Sequence, residues 1–129
     1  MDSMYIGKID LKIYRCVCEN IDTDDVVITY RQINHVMEGH PGDYEQFSSL
    51  LRATLESPDY IVEANREYTA LVLRRFIGGG INLRVVLRLH VTVDEPGREN
   101  SVITFQRISE KEYRRLIRNK KVLYKKRNE

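Results

Sequence analysis

Two of the three histidines of this chain, His35 and His40, lie five residues apart in Arg31-Gln-Ile-Asn-His-Val-Met-Glu-Gly-His-Pro-Gly-Asp-Tyr44. Imidazole is the side chain whose ordinary pKa lets it take or give a proton near neutral pH. Such a pair, ahead of a C-terminus crowded with basic residues, suggests acid–base chemistry on an anionic substrate. The segment also reads as a helix stop, so both could equally be exposed helix-end histidines. On a helical wheel His35 falls opposite Ile33, Val36 and Met37, beside Arg31 and Glu38, which excludes it from the core. His40 follows the expected C-cap, near the partial negative charge of the helix end. That position suits a general acid and a passive helix-stabilising residue alike.

The elements that must position these residues are legible in the spacing. Ile9, Leu11, Ile13 and Val17 alternate with Asp10, Lys12, Tyr14 and Cys16, the period of a strand, and Asp22-Thr-Asp-Asp25 is a polar turn. Thr29 and Gln32 fit a capping box, with Ile28 and Ile33 as its hydrophobic staple. The helix so begun should stop at Gly39, with Pro41 preventing continuation. A second helix is expected from Asp43, burying Phe47, Leu50, Leu51, Thr54 and Leu55, and ending at Ser57-Pro58. Tyr60–Ala64, Thr69–Ile77, Leu83–Val93 and Ser101–Arg107 read as four strands whose short connections make consecutive ones antiparallel. A last helix, capped at Ser109 with Glu112, should run to about Asn119. The fold class is α+β: an N-terminal strand and two helices, a four-stranded antiparallel meander sheet, and a C-terminal basic helix.

Alternation then assigns faces. Leu83, Val85, Leu87, Leu89 and Val91 share one side of their strand, and Arg84, Val86, Arg88 and His90 the other. Ile103 and Phe105 are expected in the core, turning Thr104 and Gln106 outward, while Leu71 and Leu73 inward would leave Arg74 outward. The outward face would thus carry Arg74, Arg84, Arg88, His90, Thr104 and Gln106. Guanidinium forks match phosphate oxygens. A wetted face of a one-sided sheet would carry the same residues.

At 129 residues, 42% hydrophobic and 31% charged, the chain is expected to form one domain spanning 1–129. It shows no membrane span and no signal peptide, which suggests the cytoplasm. Cys16 and Cys18, two apart in the expected strand, read as reduced and buried, and their spacing to the histidines fits no zinc pattern. The charge is dipolar. Residues 1–65 hold 5 Lys/Arg against 12 Asp/Glu, whereas residues 107–129 hold 10 against 3. That basic block has the footprint of a nucleic-acid surface, or of a solvated helix and tail.

Several blocks, in order, carry a family resemblance: His35-Val-Met-Glu-Gly-His40-Pro-Gly-Asp-Tyr44, Ser57-Pro-Asp-Tyr-Ile61, Thr69-Ala-Leu-Val-Leu-Arg74, Leu87-Arg-Leu89, Asn100-Ser-Val-Ile-Thr-Phe105 and Arg118-Asn-Lys-Lys-Val-Leu-Tyr-Lys125. Over about residues 28–126 the chain resembles a phage and mobile-element group of the barnase–EndoU–colicin–RelE-like nucleases. The resemblance implies N-terminal helices followed by a curved antiparallel sheet. It also implies cofactor-free, metal-independent RNA cleavage by the substrate's own 2′-hydroxyl. His35 and His40 match the group's paired histidines. Arg74 stands where a basic residue, often lysine, is found. Arg88 matches the arginine of the Leu-Arg-Leu strand, and Ser101 and Thr104 match the Ser-Val-Ile-Thr-Phe strand. In one departure, the residue before the second histidine is usually basic and here is Gly39.

The expected catalytic set is therefore His35, His40, Arg74, Arg88 and Thr104. Arg84, Ser101, Gln106, Arg114, Arg115, Arg118, Lys120 and Lys121 are expected to bind substrate, with no metal. The expected partner is RNA; a cognate inhibitor protein is left open, and no membrane contact is expected. The alternative is a non-catalytic RNA- or protein-binding module on the same fold.

Overall fold

A computed structural model describes residues 2–127. Strand β1 (Ser3–Lys8) leads into a single helical turn, α1 (Leu11–Tyr14), followed by β2 (Asp25–Thr29), α2 (Tyr30–Gly39) and α3 (Asp43–Glu56). Then come β3 (Tyr60–Glu63), β4 (Thr69–Phe76), β5 (Ile81–Arg88), β6 (Asn100–Ile108), α4 (Glu110–Asn119) and β7 (Val122–Lys125). The fold is α+β, but its sheet has seven strands rather than four, ordered β1-β2-β6-β5-β4-β3-β7. The expected meander β3-β4-β5-β6 is its centre. β2 adds in parallel beside β6, β1 pairs with β2, and β7 pairs with β3.

The strand expected over residues 9–17 does not form. Ile9, Ile13 and Val17 are also spaced i, i+4, i+8, so the pattern served two periods at once. Asp10 decides between them: its carboxylate accepts from Lys12 N at 2.9 Å and starts α1. The turn leaves Cys16 exposed and Cys18 half-buried, both free, instead of buried in a strand. Tyr14 is fully buried, its hydroxyl donating to Leu55 O at 2.7 Å.

Helix α2 forms as its spacing requires. Thr29 and Gln32 make both bonds of the capping box, and Ile33 and Val36 are buried, although Met37 is exposed. Helix α3 buries Phe47, Leu51, Thr54 and Leu55, and its first residue follows Gly42, which at φ 87° occupies the left-handed region. Leu51 and Leu55 join Leu83, Val85 and Leu87 in the main core.

The sheet is covered on both faces, and this corrects the assignment of β4. Thr69 through Leu73 are all buried, so β4 offers no polar phase from which to read a face. Leu71 pairs with Val86 and Leu73 with Arg84, which puts both leucines on the arginine side. There they pack with Val62, Ile108, Tyr113 and Leu116 under α4. Val72 and Arg74 face the main core side instead.

In β6 the register slips between Val86↔Thr104 and Leu87↔Val102, a bulge that inserts Ile103 as an extra residue. Val102 and Phe105 therefore both reach the main core, and the expected core residue Ile103 is exposed. Strand β5 stops at Arg88, short of the expected Val93. The Asp94 carboxylate takes Val91 N at 2.9 Å and the Asn100 side chain takes His90 N at 2.7 Å, so backbone donors that a strand would need are bound within the loop.

Candidate active site

The arginine-bearing face of β5 and β6 builds a polar strip. Arg84 and Arg88 share that face, and β6 brings Gln106 opposite Arg84, Thr104 opposite Val86, and Ser101 opposite Arg88. Helix α4 covers the β3–β4 flank of the face through Tyr113 and Leu116. On the other flank β2 meets β6 only at Asn100 and Ser101, and α2 then follows the open edge of β6. At one end Ser101 Oγ lies 3.0 Å from Gln32 Oε1. At the other, Arg107 N donates to Asp43 Oδ2 at 3.2 Å, just past the α2–α3 turn.

The four arginines of β4 and β5 are not equivalent. Arg74, expected in the site, lies on the opposite face. Its Nη1 donates to Ala53 O at 2.9 Å and Ser57 O at 3.2 Å, satisfying carbonyls at the end of α3. Arg75 bonds Glu110 at 2.6 Å. Arg88 donates to Leu89 O and, at 3.2 Å, to Asp94, with its guanidinium 5.2 Å from the centre of the Tyr68 ring. Arg84 alone of the four, half-buried in the sheet, makes no side-chain hydrogen bond among the described residues; the Glu112 carboxylate lies close enough to feel its charge but is bonded to Arg115. Thr104 and Gln106 beside Arg84, also half-buried, likewise make no side-chain hydrogen bond among the described residues.

Sequence reasoning missed the brace around Arg88. Tyr68 holds φ 55°, a strained value for a side chain of its size, and its carbonyl accepts Leu89 N at 2.7 Å. The Asp94 carboxyl is held below the usual carboxylate range, first by the Val91 N–H and then by Arg88. His90, expected on the outward face, is buried in the loop after β5. Its Nε2 lies 2.8 Å from Glu95 O and its Nδ1 3.1 Å from the Asp22 carboxylate. The Nδ1–Asp22 approach is close in distance but poorly aligned as a hydrogen bond.

Helix α2, which carries both histidines, runs beside β6. His35 is one helical turn beyond Gln32 on the same stripe, exposed, and about 4.5 Å further along the axis. His40 is the half-buried C-cap residue, about 12 Å beyond Gln32 by helix rise. Arg88 is level with Ser101 and hence with Gln32, whereas Arg84 is level with Gln106. The contacts that tie this segment to β6 run through the α2–α3 turn, where His40 O accepts Asp43 N at 3.0 Å and Asp43 Oδ2 accepts Arg107 N. Neither histidine makes a side-chain hydrogen bond or ion pair among the described residues.

Of the basic block, Arg115 and Lys120 line a cleft of about 500 Å³ beneath α4, together with Arg84, Arg88 and Arg66. Arg114 pairs with Glu110 at 2.7 Å, while Arg118 and Lys121 are exposed and outside that cleft. Among the described residues, no three His, Cys, Asp or Glu side chains gather as a metal set. No helix there is long and apolar enough to cross a membrane.

A half-buried arginine beside polar side chains that make no hydrogen bond among the described residues is suited to a phosphodiester. The model of the phage Barnase-EndoU-ColicinE5/D-RelE like nuclease 2 family, PBECR2, matches residues 6–125. This chain is a member of the PBECR2 family. The match begins within β1, well before the block resemblance, and ends with β7. No curated protein and no solved structure matches this PBECR2 chain. It is a nuclease-family domain of phage type, built on an α+β sheet.

Proposed function

We propose that this PBECR2 domain is a metal-independent endoribonuclease acting on the β5–β6 strip. The observation that carries the reading is Arg84, a half-buried guanidinium that, like Thr104 and Gln106 beside it, makes no side-chain hydrogen bond among the described residues. Glu112 offsets part of the Arg84 charge from a distance but takes none of its N–H groups, so those donors are free for a ligand that supplies acceptors. A phosphodiester fits, because its two non-bridging oxygens accept both prongs of an arginine fork.

In the proposed reaction one of His35 and His40 takes the proton of the 2′-hydroxyl. The 2′-oxygen then bonds to the adjacent phosphorus, and the other histidine protonates the departing 5′-oxygen. The products are a 2′,3′-cyclic phosphate and a new 5′-hydroxyl end. Arg84 offsets the charge that develops on the phosphoryl oxygens, and Thr104 and Gln106 donate to them. Arg88 and Ser101, about 13 Å along β5 and β6 by strand rise, would meet a neighbouring phosphate of the same strand. This exchanges the roles expected for Arg84 and Arg88, because the fork of Arg88 is already bonded to Asp94 and Leu89.

Cleavage of end-labelled RNA in EDTA, with mass analysis of the ends, tests the reading. His40→Ala and His35→Ala should each lower the rate by ~10²–10⁴-fold while RNA affinity stays within a few-fold. Wild type and both variants sharing one background rate on several RNAs would leave a non-catalytic RNA-binding module as the better account.

A further inference from the structure

The cleft beneath α4 is a second feature of the same face, and it differs from the strip in chemistry. Its floor is apolar: Leu71 and Val86 from the sheet, Leu116 from α4, and Ile103, pushed outward by the β6 bulge. Its walls carry Arg66, Arg84, Arg88, Arg115 and Lys120 against the single lining carboxylate of Glu67. Arg66 has no hydrogen-bond or ion-pair partner among the described residues. The nearby carboxylate of Glu112 is held by the Arg115 fork at 2.6 and 2.7 Å. Lys120 reaches 3.3 Å from the Asn65 side chain, joining the end of α4 to the β3–β4 loop at the rim. An apolar floor ringed by cations fits an amphiphilic anion with a flat, hydrophobic part. A bare phosphate would leave the floor wet, and a neutral apolar ligand would leave the N–H groups of Arg66 and Arg84 without acceptors among the described residues.

We propose that this cleft is a nucleotide subsite. In it, the base of the RNA nucleotide flanking the scissile phosphate lies on Ile103 and Val86, and that nucleotide's outer phosphate meets Arg66 and Lys120. The proposal rests on the ribonuclease reading for the position of the scissile phosphate at Arg84. The outward turn of Ile103 then has a role: the bulge removes one large apolar side chain from the core side and presents it to the ligand. Exposed aliphatic and aromatic surfaces hold bases without regard to their hydrogen-bonding edges, so the site would accept several bases with graded affinity.

The test is direct binding, independent of cleavage. Each of the four nucleoside 3′-monophosphates and inorganic phosphate is titrated by calorimetry and by amide chemical-shift mapping. At least one mononucleotide should bind tenfold or more tightly than phosphate, shifting residues 64–69, Ile103 and Leu116. Ile103→Glu should weaken the mononucleotide by tenfold or more, as should the double change Arg66→Ala with Lys120→Ala. Ile103 is exposed, so the first variant should fold, and circular dichroism would verify this. Arg107→Ala, exposed and outside the cleft, should change nothing. Phosphate binding as tightly as every mononucleotide, or Ile103→Glu leaving affinity intact, would overturn the subsite. A wild type that binds mononucleotide in this cleft but cleaves no RNA would sustain the subsite and sink the ribonuclease reading alone.

Discussion

Arg74 and Arg84, ten residues apart and alike in sequence, should fail in opposite ways when changed to methionine. The substitution keeps most of the aliphatic stem and removes the guanidinium. Arg74→Met deletes two charge-assisted bonds to the α3 carbonyls of Ala53 and Ser57, at 2.9 and 3.2 Å, and the stacking on Phe76 at 4.7 Å. Hydrogen bonds to charged groups contribute ~1.5–3 kcal/mol each. The residue is half-buried and the second bond long, so ~2–3 kcal/mol for the pair is the expected loss. With an unfolding entropy of ~2.1 cal/mol/K per residue, that corresponds to a Tm lower by about 7–11 °C. Arg84→Met removes no intramolecular bond among the described residues, so its Tm should stay within about 2 °C of wild type or rise. RNA cleavage should show the reverse order, with Arg84→Met losing its rate and Arg74→Met keeping it at temperatures where it is folded. Calorimetric melting beside a cleavage assay at about 20 °C, below both transitions, separates the two. Arg74→Met that melts like wild type but no longer cleaves would refute the face assignment and return Arg74 to the site.

Leu51→Ala should cost ~2–5 kcal/mol in urea denaturation, since it empties a fully buried position between α3 and the sheet; a near-neutral midpoint would mean α3 docks elsewhere. Changing Arg115 and Lys120 to Ala should weaken RNA binding and flatten its salt dependence, the slope falling by ~0.7 for each single-strand phosphate that is no longer neutralised. The same number of changes at Arg114 and Arg118, outside the cleft, should affect the slope less. Asp94 is held below its ordinary pKa when folded, so its stabilising effect is complete above the usual carboxylate range and is lost as pH falls through the depressed value. The protection factor of the Val91 amide, its exchange measured against the intrinsic rate at each pH, should therefore fall on acidification, and in Asp94→Asn it should already be low at neutral pH. Equal protection of Val91 in both proteins would show that the carboxylate does not hold the loop.

Local chemistry alone determined much of this protein. The Thr29/Gln32 box, the stop at Gly39, the amphipathic stripe of α3 and the Ser109 cap are short-range signals, and each element formed where its spacing demanded. The alternation of β5 was also readable, because polar and apolar residues mark its two faces. What failed were features fixed by partners distant in the chain. β4 is apolar on both sides, so only its pairing with β5 and the packing of α4 decide that Leu71 and Leu73 point with Arg84 and that Arg74 does not. The bulge that exposes Ile103 arises from register against β5, which nothing within Asn100-Ser-Val-Ile-Thr-Phe105 reveals. β7 became a strand because the edge of β3 was open to it, and Arg88 is engaged because Asp94 folds back from its loop. The sequence named the groups with the chemistry for a phosphodiester. Only tertiary pairing decided which of those arginines keeps its N–H groups free of hydrogen bonds among the described residues.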